Sequence, residues 1–243
     1  MPKGATKRRP PTRAALVNAD GHVSLHTPYA APMTIKAVVL DIGETLTSDT
    51  RYWRDWATWL GVPAHTMSAV VGAVLAQDLD NAEAIRLIRP GCDVLAEWEL
   101  RRAAGHDEYL DETDLYPDAR AALQRLKDTG IWVGVAGNQN VRAGECLRRL
   151  LLPIDGIATS AEWGVAKPSP DFFQRLIDWV PAQPHETVYV GDHPANDITP
   201  ARGAGLRTAH IRRGPIGLLR SAPDAEWTVN SLGELADLLT QSV

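Results

Sequence analysis

The chain has 243 residues, 44% of them hydrophobic and 23% charged, with a net charge of −5. That length suits one medium domain with an insertion, or two small domains, and the apolar share is enough for a real core. The acidic balance gives no pull toward nucleic acid or anionic membranes, and no run approaches the roughly 18 apolar residues of a transmembrane helix. Cys92 and Cys146 are far apart in no metal-like spacing, which reads as reduced thiols in a cytoplasmic protein.

Lys3, Lys7, Arg8, Arg9 and Arg13 open the chain, but the apolar stretch of a secretory signal does not follow them. Residues 1–32 read as a disordered basic tail. Met33 stands directly before the first strand, so the tail reads as an extension, or as the product of a misplaced start codon, ahead of the folding unit. Residues 35–40 are rich in Val and Ile and read as a buried parallel strand. From about 47 to 115 no strand pattern occurs. That stretch reads as helices over 52–60, 66–77, 82–88 and 94–104, punctuated by Gly61-Val62-Pro63 and Arg89-Pro90-Gly91. So long a helical insertion implies an all-helical cap domain, not another layer of sheet.

A helix over 118–128 places Ala121, Ala122, Leu123 and Leu126 on one side and stops at Gly130. Strands follow at 131–136, 156–159, 187–190, 207–211 and 226–229. Helices at 142–151, 169–179, 198–204 and 232–239 separate or follow them; Pro170 starts the second of these, and Phe173, Leu176 and Ile177 form its apolar face. The alternation implies an α/β fold: an open, Rossmann-like parallel sheet with helices on both faces. The division is then a tail (1–32), an α/β core (33–46 and 116–243) and the cap (47–115).

Open parallel sheets bind ligands at the carboxyl ends of their strands. Four segments meet that description: Asp41 to Leu46, Gly137 to Asn140, Gly164 to Pro168, and Gly191 to Asp197. Asp41, Asp192 and Asp197 in one crevice would raise one another's pKa. A hard cation with oxygen ligands, Mg2+ above all, relieves that repulsion, and Lys167 adds a second positive charge. A cation and a lysine facing a carboxylate suit phosphoryl transfer to that carboxylate.

In this order the four segments resemble the haloacid dehalogenase (HAD) superfamily of hydrolases, over roughly residues 33–240. Asp41-Ile42-Gly43-Glu44-Thr45 is similar to the family's D-x-D-x-T motif, Lys167-Pro168 to its lysine motif, and Gly191 to Asp197 to its acidic G-D-x-x-x-N-D motif. The resemblance implies that Asp41 is a nucleophile that becomes an aspartyl-phosphate. It implies that Asp41, the Gly43 carbonyl and Asp192 hold Mg2+, with Asp197 supporting directly or through water. Lys167 would orient Asp41 and the phosphate, and the helical insertion would close over the site.

Two positions depart from the pattern. Gly43 replaces the second aspartate, the general acid and base, and Gly137 replaces a phosphate-binding Ser or Thr, leaving Asn138 and backbone N–H groups for that task. A positioned general acid is worth about 10²–10⁴ in rate, so its loss narrows the chemistry to good leaving groups or slow turnover. Glu44 is displaced by one residue and points elsewhere unless it serves as a substitute acid.

His193 reads as a loop histidine that could face the crevice. Trp53, Trp56 and Trp59 read as packing of the cap helices, and Glu97, Glu99, Arg101 and Arg102 as a solvated helix face. The leading function is a Mg2+-dependent phosphatase acting on a small phosphorylated metabolite. A weakly active or inactive phosphate-binding or regulatory protein is the alternative, and Gly43 and Gly137 both favour it. A haloacid dehalogenase is disfavoured because its site uses no metal, and a phosphonate hydrolase because no lysine lies between Lys36 and Lys127.

Overall fold

The computed structural model describes residues 34–240 and, before them, only the antiparallel strand pair Leu16–Val17 and Val23–Ser24. The disordered tail expected over 1–32 otherwise lies outside the described residues. Six parallel strands form the sheet: β1 (Ala37–Leu40), β2 (Trp132–Gly137), β3 (Gly156–Thr159), β4 (Thr187–Gly191), β5 (Arg207–Ile211) and β6 (Trp227–Val229). Their order is β3-β2-β1-β4-β5-β6. β1 and β4 are central, and each is apolar almost without interruption because both of its faces are covered.

Alternation along β1 divides the core. Val38 and Leu40 pack with Ala122, Leu123 and Leu126 of α5 (Ala119–Asp128) and with Leu235 and Leu239 of α11 (Leu232–Thr240). Ala37 and Val39 face the other side, against Phe172, Phe173 and Leu176 of α8 (Pro170–Trp179) and Ala201 of α9 (Thr199–Gly203). Full burial of a side chain such as Leu123 or Phe173 contributes about 1.5–3 kcal/mol. Helices therefore cover both faces of an open parallel sheet.

Four helices lie between β1 and α5: α1 (Thr50–Leu60), α2 (Ala64–Leu75), α3 (Glu83–Ile88) and α4 (Val94–Ala103). They have an apolar cluster of their own, with Trp53, Trp56, Met67, Val71, Val74 and Ile85 at its centre. The chain enters and leaves this region side by side. Thr47 bridges Leu115, Ser48 N–H donates to Asp114 O at 2.8 Å, and Tyr116 N–H donates to Leu46 O at 3.0 Å. No single helix among the described residues is long and apolar enough to cross a membrane.

Three details differ from the sequence reading. α2 begins at Ala64, because Pro63 adopts an extended conformation and starts the helix where a break was read. The segment read as a helix over 198–204 begins earlier, with a π-helical turn over Pro194–Ile198. Glu97 and Arg101 are not solvated: they are only 8% and 5% exposed. Glu97 accepts the Trp59 Nε1–H at 2.7 Å and pairs with Arg89, while the Arg101 guanidinium lies 4.3 Å above the Trp56 ring. Each finds a partner on another helix, which compensates its burial. Glu99 and Arg102 are exposed as expected.

Candidate active site

The ladder of β1 runs on into Asp41, whose N–H donates to Val190 O at 2.8 Å. The strand then ends in a tight turn. Leu46 and Thr47 both donate to Ile42 O at 2.9 Å, and Glu44 takes a φ of 53°. Asp41 is left at the strand tip, 7% exposed, pointing into a crevice of about 640 Å³. Lys167 Nζ lies 2.6 Å from Asp41 Oδ1 and 2.6 Å from Asp197 Oδ1. One ammonium thus joins two buried carboxylates.

Lys167 is set from below. Asn138, just past β2, donates its Nδ2–H to Lys167 O at 2.9 Å and accepts Lys167 N–H on Oδ1 at 2.8 Å. The Asn138 carboxamide is committed at both ends to this clamp, which makes Asn138 a positioning residue for Lys167. Gly137 has a different part. A Cβ there would lie 2.4 Å from Asp41 Oδ1, so the bare glycine gives the Asp41 carboxylate room to reach Lys167. Gly191 does the same for Asp197: a Cβ would stand 2.3 Å from its carboxylate carbon. The π-helical turn folds back over this glycine, and His193 N–H secures Asp197 Oδ2 at 2.9 Å.

Asp192 follows β4. Its backbone carbonyl accepts the Nε2–H of His210 at 3.0 Å, but its carboxylate meets no hydrogen-bond donor among the described residues. Oxygens of Asp41, Asp192 and Asp197 lie within 4.8 Å of one another. Burial, first, and the neighbouring Asp197 carboxylate raise Asp41 to about 6, with Lys167 opposing. Burial and the Asp197 and Asp41 charges push Asp192 well above the usual carboxylate range. Burial alone would lower Lys167; Asp197 and Asp41 outweigh it and hold the ammonium firmly charged. Burial and the Lys167 charge lower His193, which lines the crevice and accepts Asn196 N–H on Nδ1 at 3.3 Å. An excess of buried negative charge at a site made only of oxygen donors is the setting for a hard cation.

A profile of haloacid dehalogenase-like hydrolases matches residues 35–205. The chain belongs to this family. Among its HAD relatives, a glyceraldehyde 3-phosphate phosphatase of Methanocaldococcus jannaschii is 34% identical over 127 residues, covering 51% of this chain and 56% of that protein. This chain thus spans little more than half of that relative. A protein of the same name from Methanopyrus kandleri is 29% identical over 207 residues, covering 74% and 85%. The magnesium-bound HAD hydrolase YfnB of Bacillus subtilis shares the fold, with a TM-score of 0.65 at 16% identity over 85% of this chain and 99% of its own.

Glu44, the candidate substitute acid, lines the HAD crevice, but its carboxylate is engaged, accepting the Tyr116 O–H and, at 3.0 Å, the Asp49 N–H. The crevice also holds residues that no local pattern singled out. Pro215 and Ile216 reach the crevice from α10 (Gly214–Leu219), too short and glycine-rich to show a helical period. Asp49 and Asn81 arrive from the helical insertion. With Asn138 and Gln139 they also line a second chamber of about 770 Å³, completed by Tyr52, Glu108, Tyr109 and Asp114 among others. Burial, then the charges of Glu44, Asp41, Glu108 and Asp114, push Asp49 well above the usual carboxylate range.

Proposed function

We propose that this chain is a cytoplasmic, Mg2+-dependent phosphatase of a small phosphorylated metabolite, working through an aspartyl-phosphate on Asp41. The observation that carries the reading is the Asp41 carboxylate at the tip of β1, held by Lys167 within oxygen reach of Asp192 and Asp197. The names of both relatives support a small phosphate ester as substrate, and the free Cys92 and Cys146 are consistent with a reducing compartment. Asp41, the Gly43 carbonyl and Asp192 would hold the ion, with Asp197 behind them directly or through water. Bound there, Mg2+ supplies positive charge against the phosphate oxygens. Lys167 aligns the Asp41 carboxylate and binds a phosphate oxygen, beside backbone N–H groups of the loop at Gly137 and Asn138. The Asp41 oxygen attacks phosphorus, the ester bond breaks, and the alcohol departs into the second chamber beneath the helical cap, residues 47–115. Water then cleaves the aspartyl-phosphate. Hydrolysis of p-nitrophenyl phosphate by the wild type and by Asp41→Asn tests this directly.

The raised carboxylates also predict a response to metal alone. A hundredfold excess of Mg2+ over its Kd stabilises by about 2.7 kcal/mol, which raises Tm by roughly 5–10 °C in a domain of this size. Asp41 rises to about 6 without metal, so the shift should be full at pH 8 and shrink as pH falls through 6 and the carboxyl takes up its proton. Differential scanning fluorimetry at pH 8 and pH 5 reads it, and Asp192→Asn should diminish it. A Mg2+ shift that is absent, or equal at both pH values, would speak against the metal site.

The chambers also bear on the substrate. Among the described residues that line them, Lys167 is the only lysine or arginine, and it is bound to two carboxylates. Glu108 and Asp114 face the space for the leaving group. A second anionic group there meets like charge, which costs several kcal/mol. Glycerol 1-phosphate should therefore be hydrolysed with a kcat/KM at least about tenfold above that of glycerol 1,3-bisphosphate. Parity between the two esters would overturn this substrate class.

A further inference from the structure

A phosphate ester releases an alcohol only if its leaving oxygen receives a proton, because an alkoxide leaves poorly. Besides Lys167, the titratable groups that face the crevice are Asp41, Glu44, Asp49, Asp192, His193 and Asp197. Asp41 is needed as nucleophile, and Asp192 and Asp197 stand with the metal. Glu44 is engaged by Tyr116 and by the Asp49 N–H. His193 uses Nδ1 as an acceptor for Asn196, and the remaining N–H of a neutral imidazole is a far weaker acid than a carboxylic acid.

Asp49 is left. It occupies the N-cap position of α1, where an aspartate ordinarily accepts a backbone N–H, yet its side chain makes no cap bond. No described residue donates to its carboxylate. Instead, both oxygens lie 3.2 Å from the point where a Cβ on Gly43 would stand. The carboxyl thus occupies the space that a side chain at position 43 would enter, on the wall common to the reaction crevice and the second chamber.

We propose that Asp49 is the proton donor for the leaving group, supplied from the start of the helical insertion in place of position 43. This rests on the phosphatase reading. As Asp41 attacks phosphorus and the P–O ester bond breaks, the Asp49 carboxylic acid gives its proton to the departing oxygen, and alcohol and an Asp49 carboxylate result. When water attacks the aspartyl-phosphate, that carboxylate takes one water proton. Phosphate is released, the Asp41 carboxylate returns, and Asp49 is again an acid.

The test compares two esters in the Mg2+-loaded enzyme. Glycerol phosphate needs the proton; p-nitrophenyl phosphate, whose phenolate leaves unaided, does not. Asp49→Asn keeps size and removes no cap bond. It should lower kcat on glycerol phosphate by about 10²–10⁴-fold and leave the p-nitrophenyl ester little changed. Should Asp49→Asn fail to fold, Asp49→Ser, which retains a capping group, carries the same measurement. Equal losses on the two esters, or no loss on glycerol phosphate, overturn the proposal. So does a wild type that is active on the p-nitrophenyl ester alone. A wild type no faster than Asp41→Asn on the p-nitrophenyl ester sinks the phosphatase reading, and this proposal with it.

Discussion

Replacing Asp41 with asparagine is expected to lower Mg2+-dependent hydrolysis of p-nitrophenyl phosphate by at least about 10⁴-fold, the scale on which an enzyme loses its nucleophile. A carboxamide has almost the same shape, and Lys167 keeps Asp197 as a partner at 2.6 Å, so the crevice should hold its form. What is lost is the anionic oxygen at the tip of β1 and one of the oxygens within 4.8 Å that face a cation. Initial rates with Mg2+ and with excess chelator, for wild type and variant, read both effects. Equal rates in the two proteins would leave a phosphate-binding or regulatory protein, the reading that Gly43 and Gly137 support.

Replacing Lys167 with methionine should be the more damaging change to stability. Lys167, Asp41 and Asp197 are 7%, 7% and 0% exposed, and the ammonium is 2.6 Å from each carboxylate. Removing it strands two buried like charges, and breaking a buried ion pair from one side costs about 3–5 kcal/mol. The sign of the pH dependence follows from Asp41. Its folded pKa, already raised from 3.8 to about 6, rises further without the lysine. A carboxyl raised in the folded state contributes stability that is full below its unfolded pKa and lost as pH climbs through the folded value. The difference between variant and wild type, both metal-free, should thus be small near pH 4 and fully developed by pH 8. Urea denaturation at the two pH values measures it. A difference that does not change with pH would mean that the carboxylates are not coupled through Lys167.

Glycines at two departures from the family pattern take on different meanings once the side chains are placed. Gly137 lacks a hydroxyl, but its missing Cβ is what lets Asp41 lean toward Lys167, since a Cβ there would stand 2.4 Å from Asp41 Oδ1. Gly137→Ser is therefore no simple repair of the motif. Gly43 lacks a carboxyl, and the Asp49 carboxylate lies beside the empty place. A substitution at either glycine changes a neighbour as well as itself.

The parallel sheet, the order of its strands along the chain, the position of the helical insertion and the four polar segments at the strand tips are all legible in the residues alone. The reason is that these features are contiguous. A strand covered on both faces must be apolar throughout, and where it ends at a ligand crevice the next residue is polar, so each boundary is written locally. Only the tertiary structure decided the rest. The Asn138–Lys167 clamp joins residues 29 apart, and the His210–Asp192 contact joins residues 18 apart, one on β5 and one just past β4. Glu97 and Arg101 have the pattern of a wet helix face, yet Trp59, Arg89 and Trp56 bury them. Asp49 has the sequence of an ordinary helix cap. Its place beside Gly43 comes from the turn between β1 and α1, which is tied down by the Thr47–Leu115 bridge and the Arg213 Nη1–H bond to Thr45 O at 2.8 Å. That bond spans 168 residues, and only packing brings its two ends together.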